Sequence, residues 1–151
     1  GHEDDEVKKM ILHNVTRNTI LAKEPCRART LCTRARGMIG RKFSEQCDAL
    51  IFEHCNAVHS LFMSQDLDLL FVSRENRILH IRENFPPWRV CERCGSASLV
   101  IELPAGTIRK SATQTGDVID LDVELIRDLN TPMLRIVRPA PAANLYGDEK
   151  Q

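Results

Sequence analysis

Two apolar runs, Ala57 to Met63 and Leu67 to Val72, are separated only by the polar connection Ser64-Gln65-Asp66. Runs of this length are too short for ordinary helices and suit buried strands. The pattern therefore predicts a hairpin of two core strands. His59 and Asp68 interrupt the apolar series, and a polar group inside a buried segment is where chemistry has to be looked for first.

The same reading extends along the chain. Val7 to Val15 mixes apolar and polar residues ahead of Thr16-Arg17-Asn18-Thr19, which has turn chemistry, so a strand, a turn and a second strand through Glu24 are expected, closed by Pro25. Between Ala28 and Arg41, Leu31, Ala35, Met38 and Ile39 recur at the spacing of one helical face, with Arg27, Arg29, Arg34, Arg36 and Arg41 on the other. This is the one long helix the pattern predicts. Ala49 to Phe52 reads as a strand, as do Ile78 to Ile81 and Leu99 to Leu103, with Ser73 to Arg77 a polar turn. Pro86-Pro87 ends the strand from Ile78, and Cys91 to Ser96 falls in a loop. Thr107 to Thr115 is expected to form a short helix stopped by Gly116. From Ile119 the alternation is regular, with Leu121, Val123 and Leu125 on one face and Asp120, Asp122 and Glu124 on the other, and Met133 to Val137 adds a last strand.

Many short strands with one helix in the N-terminal half predict a mainly-β domain, a compact barrel or sandwich. The expected boundaries are a disordered start at residues 1–6, one β-rich domain at 7–138 and a disordered tail at 139–151. The chain has 151 residues, enough for one domain with its own core. Lysine plus arginine and aspartate plus glutamate both total 21, so no global field draws it to nucleic acid, and its aromatics are not interleaved with basic residues as a nucleic-acid motif requires. No apolar run is long enough to span a bilayer. The acidic start, Gly1 to Glu6, does not resemble a secretory signal, so a cytoplasmic location is expected for the chain as given; Gly1 in place of methionine leaves export of a longer precursor open. The six cysteines are expected to be reduced thiols.

Several motifs in order carry a resemblance: Arg34-Ala35-Arg36-Gly37-Met38-Ile39-Gly40-Arg41, His59-Ser60-Leu61-Phe62-Met63, Leu67-Asp68-Leu69-Leu70-Phe71-Val72, Val100-Ile101-Glu102-Leu103-Pro104-Ala105-Gly106, and Gly116-Asp117. Together they resemble the prokaryotic family called domain of unknown function 192, from about Ile20 to Leu125. The resemblance implies a β-rich fold with a helix near its start and implies no activity. Many members follow the His59–Met63 motif with a basic residue, which Ser64-Gln65 does not supply here, and the loop holding Cys91 and Cys94 is variable in the family.

Two constellations carry candidate chemistry. His59 and Asp68 would share the open end of the hairpin, with Glu102 from the Leu99–Leu103 strand and backbone amides at Gly106 completing a pocket for a small molecule or peptide. Asp68 can equally cap a turn, His59 can be a hydrogen-bonded core residue, and Glu102, if buried, needs a partner such as one of the helix arginines. The second constellation is a structural zinc site in which Cys91 and Cys94 are joined by Cys55 and His59. Four residues along a strand span roughly 13 Å, so Cys55 and His59 would meet one metal only if the backbone bends. A redox use of Cys91-x-x-Cys94 lacks the helix N-terminus that such chemistry needs. No nucleophile with a base at evident spacing is present, so the sequence predicts a binding or accessory module and no catalytic residue. The partner it would bind and its oligomeric state are not legible in the residues.

Overall fold

The first hairpin forms where turn chemistry predicts it. Strand β1 (Glu6–Asn14) pairs antiparallel with β2 (Thr19–Ala22), and Asn18, with φ of 53°, makes the turn in the left-handed region that asparagine tolerates. Pro25 does not close the hairpin. It opens a three-residue strand, β3 (Pro25–Arg27), at the edge of a second sheet, where a residue without an N–H is tolerated. The computed structural model describes residues 6–28, 43–58, 65–87, 92–128 and 134–137. The helix expected over Ala28 to Arg41 lies, beyond Ala28, outside the described residues, as does the tail expected at 139–151; of the start expected to be disordered at 1–6, residues 1–5 lie outside them and Glu6 begins β1.

The remaining elements are β4 (Ala49–Glu53), β5 (Ala57–Val58), β6 (Leu67–Val72), β7 (Ile78–Phe85), β8 (Glu92–Arg93), β9 (Leu99–Pro104), the short helix α1 (Thr107–Ser111), β10 (Ile119–Asp128) and β11 (Leu134–Val137). They build a five-stranded sheet in the order β3-β4-β9-β6-β7, a four-stranded sheet in the order β11-β10-β1-β2, and a β5-β8 ribbon. Only β3 and β4 run parallel within the larger sheet.

The hairpin expected between Ala57–Met63 and Leu67–Val72 is not the pairing that forms. Strand β6 is bonded to β9 on one edge and β7 on the other, whereas Ala57 and Val58 pair with Arg93 and Glu92. A strand has two edges, and both of those of β6 are taken, by the eight-residue β7 and the six-residue β9, which leaves none for the two-residue β5. Every residue of β6 is buried, which is why its apolar run is nearly continuous rather than alternating.

Alternation along the strands divides the core. Ile51, Leu70, Val72, Ile101 and Leu103 project to one face of the larger sheet and pack against Leu12, Leu21, Ala22 and Ile119 of the smaller sheet. Leu50, Phe52, Leu67, Leu69, Phe71, Phe85 and Val100 project to the other face, against Val58 and the flanks of Cys55, Cys94 and Phe43. Sheet packed on sheet, with no sheet closing on itself among the described residues, is a sandwich-like mainly-β domain, and the barrel expectation falls away.

Two further expectations are adjusted. A register shift in the β1–β10 pairing, between Ile11 opposite Val123 and His13 opposite Asp120, breaks the alternation of β10. Leu121 therefore packs on the main core, while Val123 and Leu125 join Ile11 in a separate cluster. Helix α1 ends at Ser111 rather than Thr115, because Ala112 turns into the left-handed region and Asp117 takes the amide of Gln114 instead.

Candidate functional site

Asp68 and Gly106, expected to line one pocket, meet at a structural node. Asp68 is fully buried, and its carboxylate accepts three backbone hydrogen bonds: Asn84 N at 3.0 Å, Gly106 N at 3.1 Å and Ile108 N at 3.0 Å. Helix α1 has no side-chain cap of its own, so Asp68 reaches across from β6 to do that work. Gly106 has φ of 93°, a conformation that admits glycine at no steric cost and lets the chain turn its amide onto the carboxylate. Asn84, also at positive φ, sits at a bulge in β7 that turns its own amide the same way. The node ties three segments together, and each bond is made by a charged acceptor.

Glu102 lies elsewhere. Its cross-strand partners are Leu50 and Leu69, both of the second core cluster, whereas Asp68 stands opposite Leu103 of the first. The two carboxylates project from opposite faces of one sheet and do not share a cleft. Glu102 is 3% exposed, and its Oε2 has no hydrogen-bond partner. Burial pushes its carboxyl up to about 8. At neutral pH it is therefore a protonated acid, able both to donate and to accept. An arginine partner from the basic series is not met in Arg27, which pairs with Glu53 and Asp122.

A second orphan atom stands on the same face. Leu69 pairs with Glu102 on one side and Arg82 on the other, so the row across the sheet runs Leu50, Glu102, Leu69, Arg82. Arg82 Nε is buried and has no partner. Two strand spacings put its Cα about 10 Å from that of Glu102. The other buried side-chain atoms without partners among the described residues, His13 Nδ1 and Thr19 Oγ1, belong to the β1–β2 hairpin. One row further along the same face, His80 stands opposite Phe71, with ring centroids 5.4 Å apart, and its Nε2 lies 2.8 Å from Glu92 Oε1 on β8.

Arg82, His80 and Glu92 were not singled out by sequence reasoning. The signal available was period-two spacing: His80 and Arg82 alternate with Ile81 in a strand whose apolar residues were read only as far as Ile81.

His59 and Cys91 lie outside the described residues. Of the zinc constellation, Cys55 and Cys94 are described. Both pack against the second core cluster, and Cys94 N donates to Asn56 O at 2.9 Å, which brings the two cysteines to the same ribbon. Among the described residues no group of three or more histidine, cysteine, aspartate or glutamate side chains is placed to hold a metal ion. Nor is any helix among them long and apolar enough to cross a membrane.

Fold and site thus define a sandwich-like β protein with a carboxylate node on one sheet face and unpartnered polar groups on the other. The family model for DUF192, described as uncharacterized ACR, matches residues 15–121, and the chain belongs to that family of unknown function. It is 31% identical over 77 residues to a UPF0127 protein of Thermococcus gammatolerans, a match covering 51% of this chain and 50% of that protein, so the chain spans about half the length of this relative. Two solved structures share the fold. One, a protein of unknown function from Novosphingobium aromaticivorans, has a TM-score of 0.61 at 20% identity over 76% of this chain and 84% of its own. The other, from Sinorhizobium meliloti 1021 and described as a "putative transcription regulator", has a TM-score of 0.63 at 21% identity over 78% and 96%. At such identities the likeness shows the fold alone.

Proposed function

We propose that the protein is a non-enzymatic binding module whose ligand, a small molecule or peptide carrying a carboxylate or amide, contacts the sheet face that bears Glu102 and Arg82. The observation that supports this is the pair of orphan atoms. A buried polar atom without a partner costs about 1–3 kcal/mol, and a folded chain retains two on one face at a continuing cost to its stability. Leu69 is buried in the second core cluster and Glu102 is buried beside it, so a ligand group would have to enter that packing from the Arg82 edge, where it would accept from Arg82 Nε–H and exchange a hydrogen bond with the neutral Glu102 carboxyl. Of the pocket residues expected from sequence, this reading keeps Glu102, assigns Asp68 and Gly106 to holding the fold, and leaves His59 as a candidate for the same ligand.

A thermal-shift series with short carboxylates, amino acids and dipeptides tests it. Stabilisation of the wild type that disappears in both Glu102→Gln and Arg82→Met supports the reading. Equal shifts in all three proteins contradict it.

The proximity of Cys55 and Cys94 favours a second reading, a zinc-stabilised protein completed by His59 and Cys91. Elemental analysis of protein purified without chelator decides it: one zinc per chain, lost in Cys94→Ser, is the expected result, and substoichiometric zinc in the wild type rules the metal out.

A further inference from the structure

The edge of the larger sheet holds a second pair of thiols that no reading above uses. The chain enters β4 through a tight turn in which Ser44 and Cys47 exchange backbone hydrogen bonds of 2.9 and 3.2 Å. Asp48 then anchors the approach to β3, accepting from Lys23 N at 2.9 Å and Glu24 N at 2.8 Å while its own amide donates to Glu24 O at 3.1 Å. Parallel pairing sets Cys26 opposite Leu50. These restraints bring Cys26 Sγ to 3.7 Å from the carbonyl of Gln46, the residue bonded to Cys47, which sets the two cysteines side by side. The Cys26 side chain packs at the margin of the second core cluster, and its contact with Gln46 O is exposed, which leaves the sulfur open to a small reagent.

We propose that Cys26 and Cys47 are an oxidative modification site, closing to an intramolecular disulfide by exchange with a low-molecular-weight disulfide. Cys26 releases its proton to water, and its thiolate attacks one sulfur of the reagent. The reagent's S–S bond breaks, one thiolate leaves and a mixed disulfide forms on Cys26. Cys47 then loses its proton and attacks Cys26 Sγ, expelling the second reagent thiolate. The protein has lost two hydrogens, and the reagent has gained two electrons and become two thiols.

The order of attack follows from the surroundings. Burial first, then the hydrogen bond and the charge of Cys26, push the Cys47 thiol up to about 12, which keeps it protonated while Cys26 is free. Capping Cys26 removes its own two contributions while burial, the largest, remains, so the second step proceeds because the mixed disulfide is held beside Cys47. The bond ties the edge strand β3 to the turn that precedes β4.

The experiment incubates the native chain with oxidised glutathione, blocks remaining thiols at intervals and maps disulfides by peptide mass spectrometry. Glutathione on Cys26 should appear first and give way to a Cys26–Cys47 cross-link. Cys47→Ser should hold the Cys26 adduct without resolving it, and Cys26→Ser should leave Cys47 unmodified. Should a serine variant fail to fold, the wild-type time course decides alone. Cross-links joining either residue to another cysteine, or an unreacted pair while other thiols are consumed, would overturn the proposal.

Discussion

Replacing Glu102 by glutamine removes the ionisable group and keeps its shape, so the change in stability can be followed along pH. In the unfolded chain a glutamate loses its proton near 4.5, and in the fold burial holds it to about 8. The folded state therefore binds more protons than the unfolded state between these values. A group whose folded value is raised contributes its full share below 4.5 and loses it as pH climbs towards 8. At about 1.4 kcal/mol per pH unit, the wild type gives up roughly 3 kcal/mol by pH 7 through this residue alone. Glu102→Gln carries no such loss. It pays instead a pH-independent cost of about 1–3 kcal/mol for burying an amide whose protons lack acceptors. Urea unfolding at intervals from pH 5 to 8 should show the stability of the variant, minus that of the wild type, rising by about 3 kcal/mol across the range. Every other titrating group cancels in that difference. A difference that stays flat with pH would refute the claim that Glu102 is buried without a charge partner.

Asp68→Ala strands three backbone N–H groups, that of Ile108 fully buried and those of Asn84 and Gly106 partly so, and should cost about 2–4 kcal/mol in urea unfolding; a loss below about 1 kcal/mol would mean the node does not hold α1 and β7. Asp117 sits under opposing influences. Burial raises its carboxyl, but hydrogen bonds from Asn14, Gln114 and Arg17 together with the Arg17 charge outweigh that and lower it. Its stabilisation is present above the ordinary carboxylate value and is lost as pH falls, so Asp117→Asn should flatten the acid limb of the stability profile, and an unchanged acid limb would count against it.

The elements with local signals were legible in the chain. The Thr16–Thr19 turn, the Leu67–Val72 run and the polar turn at Ser73–Arg77 each carry their structure in adjacent residues. The full pairing of β6 was not: β7 follows it across the Ser73–Arg77 turn, but β9 takes its other edge through long-range burial, where proximity along the chain favoured Ala57–Met63. Asp68 illustrates the same limit. Its position inside an apolar run flagged it, yet its three donors come from Asn84, Gly106 and Ile108, and nothing local names them. Glu102 was visible as a carboxylate in a strand. Its isolation, and the row that places Arg82 beyond Leu69, depend on cross-strand register, which a bulge near Asn84 shifts by one residue. Cys26 and Cys47 stand apart in sequence and meet only because β3 lies parallel to β4.

The central claim is that the face carrying Glu102 and Arg82 holds the ligand. Isothermal titration of the strongest carboxylate or amide compound into wild type, Glu102→Gln, Arg82→Met and the β1 variant Met10→Ser tests it most directly. The account predicts affinity lower by about tenfold or more in the first two variants, the value of one lost charge-assisted hydrogen bond, and unchanged in Met10→Ser. Undiminished affinity in both Glu102→Gln and Arg82→Met would contradict it.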